Sequence, residues 1–481
     1  MVASLSAMST TLNRTQAPAD LPPLVLPDSP HYDTARRAWN LHADLRPAAV
    51  CVATRVEHVQ AVLAYARTRG LRVAAQTTGH LAEALPDLRD TLLLRLALHD
   101  GEVAVEPDAR TVRVKAGARW GDVVDAVAPH GLAVMHGSSP SVGVTGYLLA
   151  GGLSFYGRAH GLAVNHVTAL EVVTPDGAYR RVDRAHDADL FYALRGGGGS
   201  FAVVCAVELG LLPYPEVTAG SMFFPASDAF AVLRAWRDWG DDAPDTITTA
   251  LRILQLPALP DVPEPLRSAP TVCVDGVALD PGEAERLEAR LRYVSDPILG
   301  GFGPTASADV MRLHGDPEEP VPAIGDGILL DRLDDWAIEV FLRAAGPGSP
   351  LLAAELRHLG GALATPPAHA GARGHLEGNY ALFGVGLPGS PTSAAELDAY
   401  LDRFLDALRP WATGTRYTGF AERTSSIETC VPPQVLERLR RIQAAVDPDR
   451  LLVPSHAVAS SHTDDRHPAT GHTEPSTPAG S

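Results

Sequence analysis

Three glycine-dense stretches lie inside sequence that otherwise reads as strands: QTTGHLAEA (76–84), GSSPSVGVTGYLLAGGLSFYGRAHGLAVNHV (137–167) and ALRGGGGSF (193–201). Glycine within a strand marks a bulge, a positive φ or a close approach of backbone to something flat. A run of four glycines and a serine is also the composition of a flexible linker, yet this one stands between DADLFY and AVVCAVELGLL. One extended ligand touched by main chain at several points would explain all three. Glycine content alone favours three independent tight turns. Free amides in a turn can bind a pyrophosphate without lysine, and Lys115 is the only lysine of the chain.

At 481 residues the chain exceeds one small core, and two to four domains are expected. Acidic residues outnumber basic ones by 57 to 40, for a net charge of −17. That disfavours a nucleic-acid partner, which needs a basic face. Cys51, Cys205, Cys273 and Cys430 form no CxxC pair, so reduced, buried thiols are expected rather than zinc or a disulfide scaffold. The N-terminus lacks a secretory pattern and no apolar run reaches a membrane span of about 20 residues. The expectation is a cytoplasmic protein with no membrane partner, monomeric or homodimeric. His462, His467 and His472 read as a weakly histidine-rich tail, and no metal site is expected. Neither a P-loop nor a strand–GxGxxG–helix unit is present.

The Pro-, Ser- and Thr-rich residues 1–30 and the tail 460–481 read as disordered. Between them, AAVCVA, RVEHVQAVLAYARTRG and LRVAAQ predict strand, amphipathic helix and strand, the helix closing on Gly70. TLLLRLAL, VAVEP and TVRVKAGA continue as strands, WGDVVDAVAPHG as a short helix, and ALEVVTPDGAYRRV as a hairpin turning at Asp176-Gly177. From about 215 the texture changes. FAVLRAWRDWG, PGEAERLEARLRYV and SAAELDAYLDRFLDALRPW read as helices, and LLAAELRHLGGAL and GHLEGNYALFGVGL as strands. Helices over one face of an antiparallel sheet fit this order, giving an α+β chain. PPQVLERLRRIQAAVDPDRLLVPSHAV reads as a Pro-started helix, a turn and a closing strand or loop.

These segments in their order, from about Trp39 to Glu208 and again from Tyr417 to Val458, resemble the PCMH-type FAD-binding proteins of the vanillyl-alcohol oxidase superfamily, within it the berberine bridge enzyme-like oxidoreductases. The resemblance implies an FAD-binding domain over 31–213, a substrate domain over 214–410, and a segment 411–459 returning to the FAD domain. It implies that Thr77, Thr78, Gly79, His80, Leu81 and Ala82 hold the FAD pyrophosphate. His80 would be bonded covalently to the flavin. A second tether, a cysteine in many relatives, falls at Ser139, whose hydroxyl is too poor a nucleophile for that part. The same segment contributes Pro140, Gly143, Val144, Gly146, Tyr147, Gly151 and Gly152. Ala150 stands for a family glycine, which a methyl permits only if it faces away from the cofactor. Asn165 and Val167 are implied as further contacts, as are Ser455 and His456. Gly419 takes the place of a usual Asn.

FAD would carry the redox step while the protein supplies position, proton transfer and access. The implied reaction takes a hydride from an alcohol or amine carbon of a small or medium organic substrate, plausibly in specialised metabolism, with O2 reoxidising the flavin. The alternative is a non-redox cyclase retaining FAD. A base is needed near the heteroatom, and Tyr380, His358 and Tyr147 are the candidates. Glu355 and Arg357 share a strand face that His358 opposes, and read as a plain ion pair.

Overall fold

The computed structural model describes residues 18–459, apart from 99–102, 261 and 268. The terminal stretches 1–17 and 460–481, with the three tail histidines, lie outside the described residues. The expected disorder over 1–30 does not extend to its second half. Val25 exchanges backbone hydrogen bonds with Val50 at 2.7 and 2.9 Å, and Leu21, Leu24 and Leu26 pack on an apolar cluster. The four apolar residues of LPPLVL outweigh the prolines between them.

The first domain joins two sheets. β1 (Ala49–Ala53), β2 (Arg72–Gln76) and β3 (Thr91–Leu96) pair in parallel in the order β1-β3-β2. The helix Val56–Arg69 between β1 and β2 buries Val59, Val62, Leu63 and Ala66, as their spacing predicts. Gly70 ends it at φ +64°, its N–H bonded to Ala66 and Arg67 carbonyls. β4 (Val103–Glu106), β5 (Thr111–Lys115), β6 (Val167–Val173), β7 (Tyr179–Asp183) and β8 (Val203–Gly210) form an antiparallel sheet ordered β4-β5-β8-β6-β7. All four cysteines are buried and free.

The second domain is an antiparallel sheet of β9 (Glu216–Pro225), β10 (Ile247–Leu254), β11 (Thr271–Ala278), β12 (Leu299–Ala306), β13 (Ile324–Leu330), β14 (Ala353–His358) and β15 (Tyr380–Gly386), in the order β12-β9-β11-β10-β14-β15-β13. Helices Ala229–Gly240, Pro281–Arg292, Asp335–Ala345 and Pro391–Leu408 cover one face around Trp236, Leu251, Leu287, Phe341 and Phe404. The sequence reading had not singled out the third of these helices. The other face turns to the first domain.

One buried cation ties the two. Arg158, 4% exposed, donates to the carbonyls of Ala243 (2.8 Å), Ile247 (2.9 Å) and Leu359, and contacts His358 Nε2 at 3.2 Å. At the far end the chain comes back to β2: Val73 forms a parallel bridge with Leu452, its N–H donating to Leu451 O and its carbonyl accepting from Val453 N–H, both at 2.8 Å. The Asp447 carboxylate accepts the Leu451 and Leu452 N–H groups at 2.9 and 3.0 Å, fixing that return. Asp447→Ala orphans two buried donors and should cost about 2–4 kcal/mol. Urea unfolding of the purified variant measures this, and an unchanged midpoint refutes the anchoring role.

Candidate active site

A cavity of about 770 Å³ lies between the first domain's loops and the open face of the large sheet. The loop leaving β2 lines it with Thr77, Thr78, Gly79, His80, Leu81 and Ala82. Gly79 holds φ +88°, and a Cβ there would sit 2.8 Å from that of Ala38. The Trp39 N–H donates to Thr78 O at 2.8 Å, and the Trp39 ring stacks on the His80 imidazole, centroids 4.0 Å apart. Nδ1 of His80 meets Thr78 Oγ1 at 2.9 Å and Nε2 meets Ser141 Oγ at 3.2 Å. Burial, with the Arg119 charge, pushes the His80 pKa down to about 3, so the ring is neutral at physiological pH.

The second glycine stretch divides. Ser139, Gly143, Gly146 and Tyr147 line the cavity, and a Cβ on Gly143 would collide with Thr77 Oγ1. Pro140, Val144, Gly151 and Gly152 do not line it. Pro140 lies against Gly121, and Val144 is in the core. The positive φ of Gly152 (+78°) clears the Tyr147 ring, 2.5 Å from where its Cβ would be, and Gly151 (+109°) clears Arg373. Ala150, expected to face away, is among the lining residues. Asn165 and Val167 do not line it either: the Asn165 amide donates to Gly374 O at 2.8 Å, and Val167 opens β6 inside the core.

The four-glycine run splits likewise. Gly198 and Gly199 line the cavity, whereas Cβ atoms on Gly196 and Gly197 would collide with Arg373 and with Ala193 O. It is no linker, but only half of it meets the ligand space. Ser455 and His456 line the cavity; Ser455 Oγ donates to Leu81 O at 3.4 Å, and His456 Nδ1 stands 3.3 Å from Ser425 O.

Opposite, the β pleat decides which side chains are available. Phe223, Cys273, Arg252, Glu355 and Phe383 are register partners across β9, β11, β10, β14 and β15. On the inner side follow Asp275, Ala250, Arg357 and Ala381, and on the outer side Leu254, Ala353 and Val385. His358 and Tyr380 belong to the other face. His358 bonds Arg158, Tyr380 packs in the helix-side core near Trp236, and neither lines the cavity. Tyr147 does line it, with its hydroxyl buried and unpaired.

Of the charges facing the cavity, the sequence points to the Glu355–Arg357 pair but not to Arg252, Asp275 or His314. Arg252 pairs with Asp275 at 2.5 Å, Asp275 lies 3.2 Å from His314, and Arg357 Nε donates to Glu355 at 2.7 Å. The Arg357 guanidinium sits 5.5 Å from the ring centroids of both Phe155 and Phe420. Burial works to raise the Glu355 and Asp275 pKa values, but neighbouring cations prevail, Arg357 first for Glu355 and Arg252 first for Asp275. Asp275 is held at about 2. Charged residues in the otherwise apolar strands TALRIL and VCVDGVA carried a signal for this cluster. Glu422 carried none. It lines the cavity without a hydrogen bond among the described residues, and burial, then Asp326 and Asp316, pushes its pKa up to about 8.

Glycine-lined backbone at three places, with the unpaired His456 Nε2 in the same lining, fits an extended, acceptor-rich group such as FAD. Residues 47–183 match the family described as "FAD binding domain". Among curated proteins, the chain is 33% identical over 194 residues to the FAD-linked oxidoreductase pytB of Aspergillus terreus, covering 40% of this chain and 24% of that one. It is 32% identical over 191 residues to the glucooligosaccharide oxidase of Sarocladium strictum, covering 40% and 38%. The chain therefore spans well under half the length of these relatives. Among solved structures, it superposes on BBE-like 1 of Physcomitrella patens with a TM-score of 0.79 at 19% identity, covering 92% and 97%. With the 6-hydroxy-D-nicotine oxidase of Arthrobacter nicotinovorans the TM-score is 0.75 at 22% identity, covering 89% and 96%.

If the first loop cradles the cofactor, Gly79→Ala, strained by about 1–3 kcal/mol and crowding Ala38, should yield folded protein with a lowered FAD content, read as the ratio of visible to ultraviolet absorbance. Full flavin loading would refute the cradle. Residues 47–183 thus match an FAD binding domain, carried by a chain with the fold of BBE-like 1 of Physcomitrella patens and of the 6-hydroxy-D-nicotine oxidase.

Proposed function

We propose that the protein is an FAD-dependent oxidoreductase that oxidises an alcohol or amine carbon of an organic substrate, with O2 reoxidising the flavin, in specialised metabolism in the cytoplasm. The observation that carries this reading is the single cavity shared by the flavin-domain loops and a charged sheet face. Bound FAD would accept the hydride. The relatives named as oxidases favour this over a non-redox cyclase.

The chain's residues divide the remaining work. The loop 77–82 and the glycines at 143, 146, 198 and 199 hold the cofactor through main chain. His80, neutral and fixed by Thr78 and Ser141, offers an imidazole lone pair for a covalent bond to the flavin. Ser139 adds no second bond. Glu422 takes the substrate proton, since a base with a pKa near the working pH serves best. Tyr147, whose phenol burial holds well above 10, donates a hydrogen bond to the substrate oxygen or nitrogen.

Three measurements check these roles. Acid-precipitated wild type should stay yellow and His80→Ala should release its flavin; complete release from the wild type disproves the tether. The anaerobic rate of flavin reduction should rise with pH to about 8, and Glu422→Gln should lose that limb and about 10²–10⁴-fold in rate. Stability gives a second test of Glu422. Its folded pKa exceeds the ordinary 4.5, so the unfolded chain releases the proton first and the fold loses stability as pH rises from about 4.5 to 8. Glu422→Gln should therefore gain stability over the wild type across that range, and parallel stability–pH curves would refute the raised pKa.

A further inference from the structure

We infer that the substrate is an amphipathic molecule with one polar, oxidisable end and an apolar body, and not an oligosaccharide. This rests on the oxidoreductase reading and deepens it. The cavity face of the sheet is graded along the strands. Arg357 and Asp275 stand on its inner row, Arg252 and Glu355 on the next, and Leu254, Ala353 and Val385 on the outer row. Phe223 and Leu299, paired across β9 and β12, flank this wall, and Leu256 and Leu266 extend it. None of these outer side chains carries a hydrogen-bonding group.

The direction of the gradient is fixed by exposure. Leu387, which lines the cavity two residues beyond Val385, is 43% exposed, so the apolar end is the rim. A sugar chain entering the cavity would press its hydroxyls on that wall and lose water without a replacement partner. An alkyl or aryl body loses nothing there. Its polar end would meet the buried ion pairs, the groups able to orient it.

The test uses the FAD-loaded enzyme without O2, with benzyl alcohol, its para-alkyl series from methyl to butyl, and xylobiose. Dissociation constants come from calorimetry and from perturbation of the flavin spectrum. The expected Kd falls by roughly fourfold per methylene, while xylobiose shows no saturable binding. Leu254→Asp and Val385→Asp should flatten the slope. A flat series in the wild type, no saturable binding by any alcohol, or tighter binding of xylobiose than of the butyl compound overturns the inference. Bleaching of the flavin by xylobiose would overturn it while upholding the oxidoreductase reading. A graded series that binds but never bleaches the flavin would uphold the inferred ligand class and sink the redox assignment instead.

Discussion

The cavity exists because a guanidinium is buried where the two domains meet. Arg158 reaches from the flavin domain to carbonyls at 243, 247 and 359, before and within β10 and just after β14. A charge in that position is tolerable only when its donors are satisfied, and those carbonyls satisfy them only in one relative placement of the sheet and the domain. Its contact with the His358 ring belongs to the same arrangement. Burial, with the Arg158 charge, drives the pKa of that imidazole down to about 3, so it remains a neutral partner to the cation. A histidine that looked catalytic thus has a structural task on the opposite side of the sheet from the ligand space.

The same sheet has two unlike faces, and each was settled by one residue of offset. In β14, Ala354 and Leu356 enter the helix-side core, whereas Glu355 and Arg357 face the cavity. Antiparallel pairing carries the pattern sideways, so Arg252 on β10 stands beside Glu355 and Phe383 on β15. Buried ion pairs of this kind add little net stability against well-packed apolar groups. Arg252, Glu355 and Arg357 line the ligand space, which argues for a functional placement of these pairs.

Much of the fold was legible because its signals are local. Valines and alanines at helical spacing gave Val56–Arg69, the glycine at 70 ended it, and short apolar runs gave the strands β1 to β3. The His80 loop was legible through its resemblance in order and motif. What failed was the assumption that every glycine in a flavin-like motif faces the ligand. Gly152 and Gly197 clear Tyr147 and the Ala193 carbonyl within their own segments, and Gly151 and Gly196 clear Arg373, far along the chain. Tyr380 and His358 failed for a different reason: residue type suggested chemistry, while strand parity put them under the helices. Glu422 was invisible because its environment comes from Asp326 and Asp316, which lie about a hundred positions away.

The carboxyl groups around the cavity end up in opposite states, and this separates their uses. Asp275 and Glu355 are held ionised by Arg252, Arg357 and His314, so they act as fixed charges across the neutral range. Glu422 has carboxylates for neighbours instead. Arg416 and Arg423 engage Asp326, leaving Glu422 with no cation of its own. Environments that drive like groups apart in pKa are how a site assigns orientation to one and proton exchange to another. Here the division follows from which strand or loop supplies each residue: the rigid sheet holds the permanent ions, and the returning C-terminal segment brings the group able to change its charge.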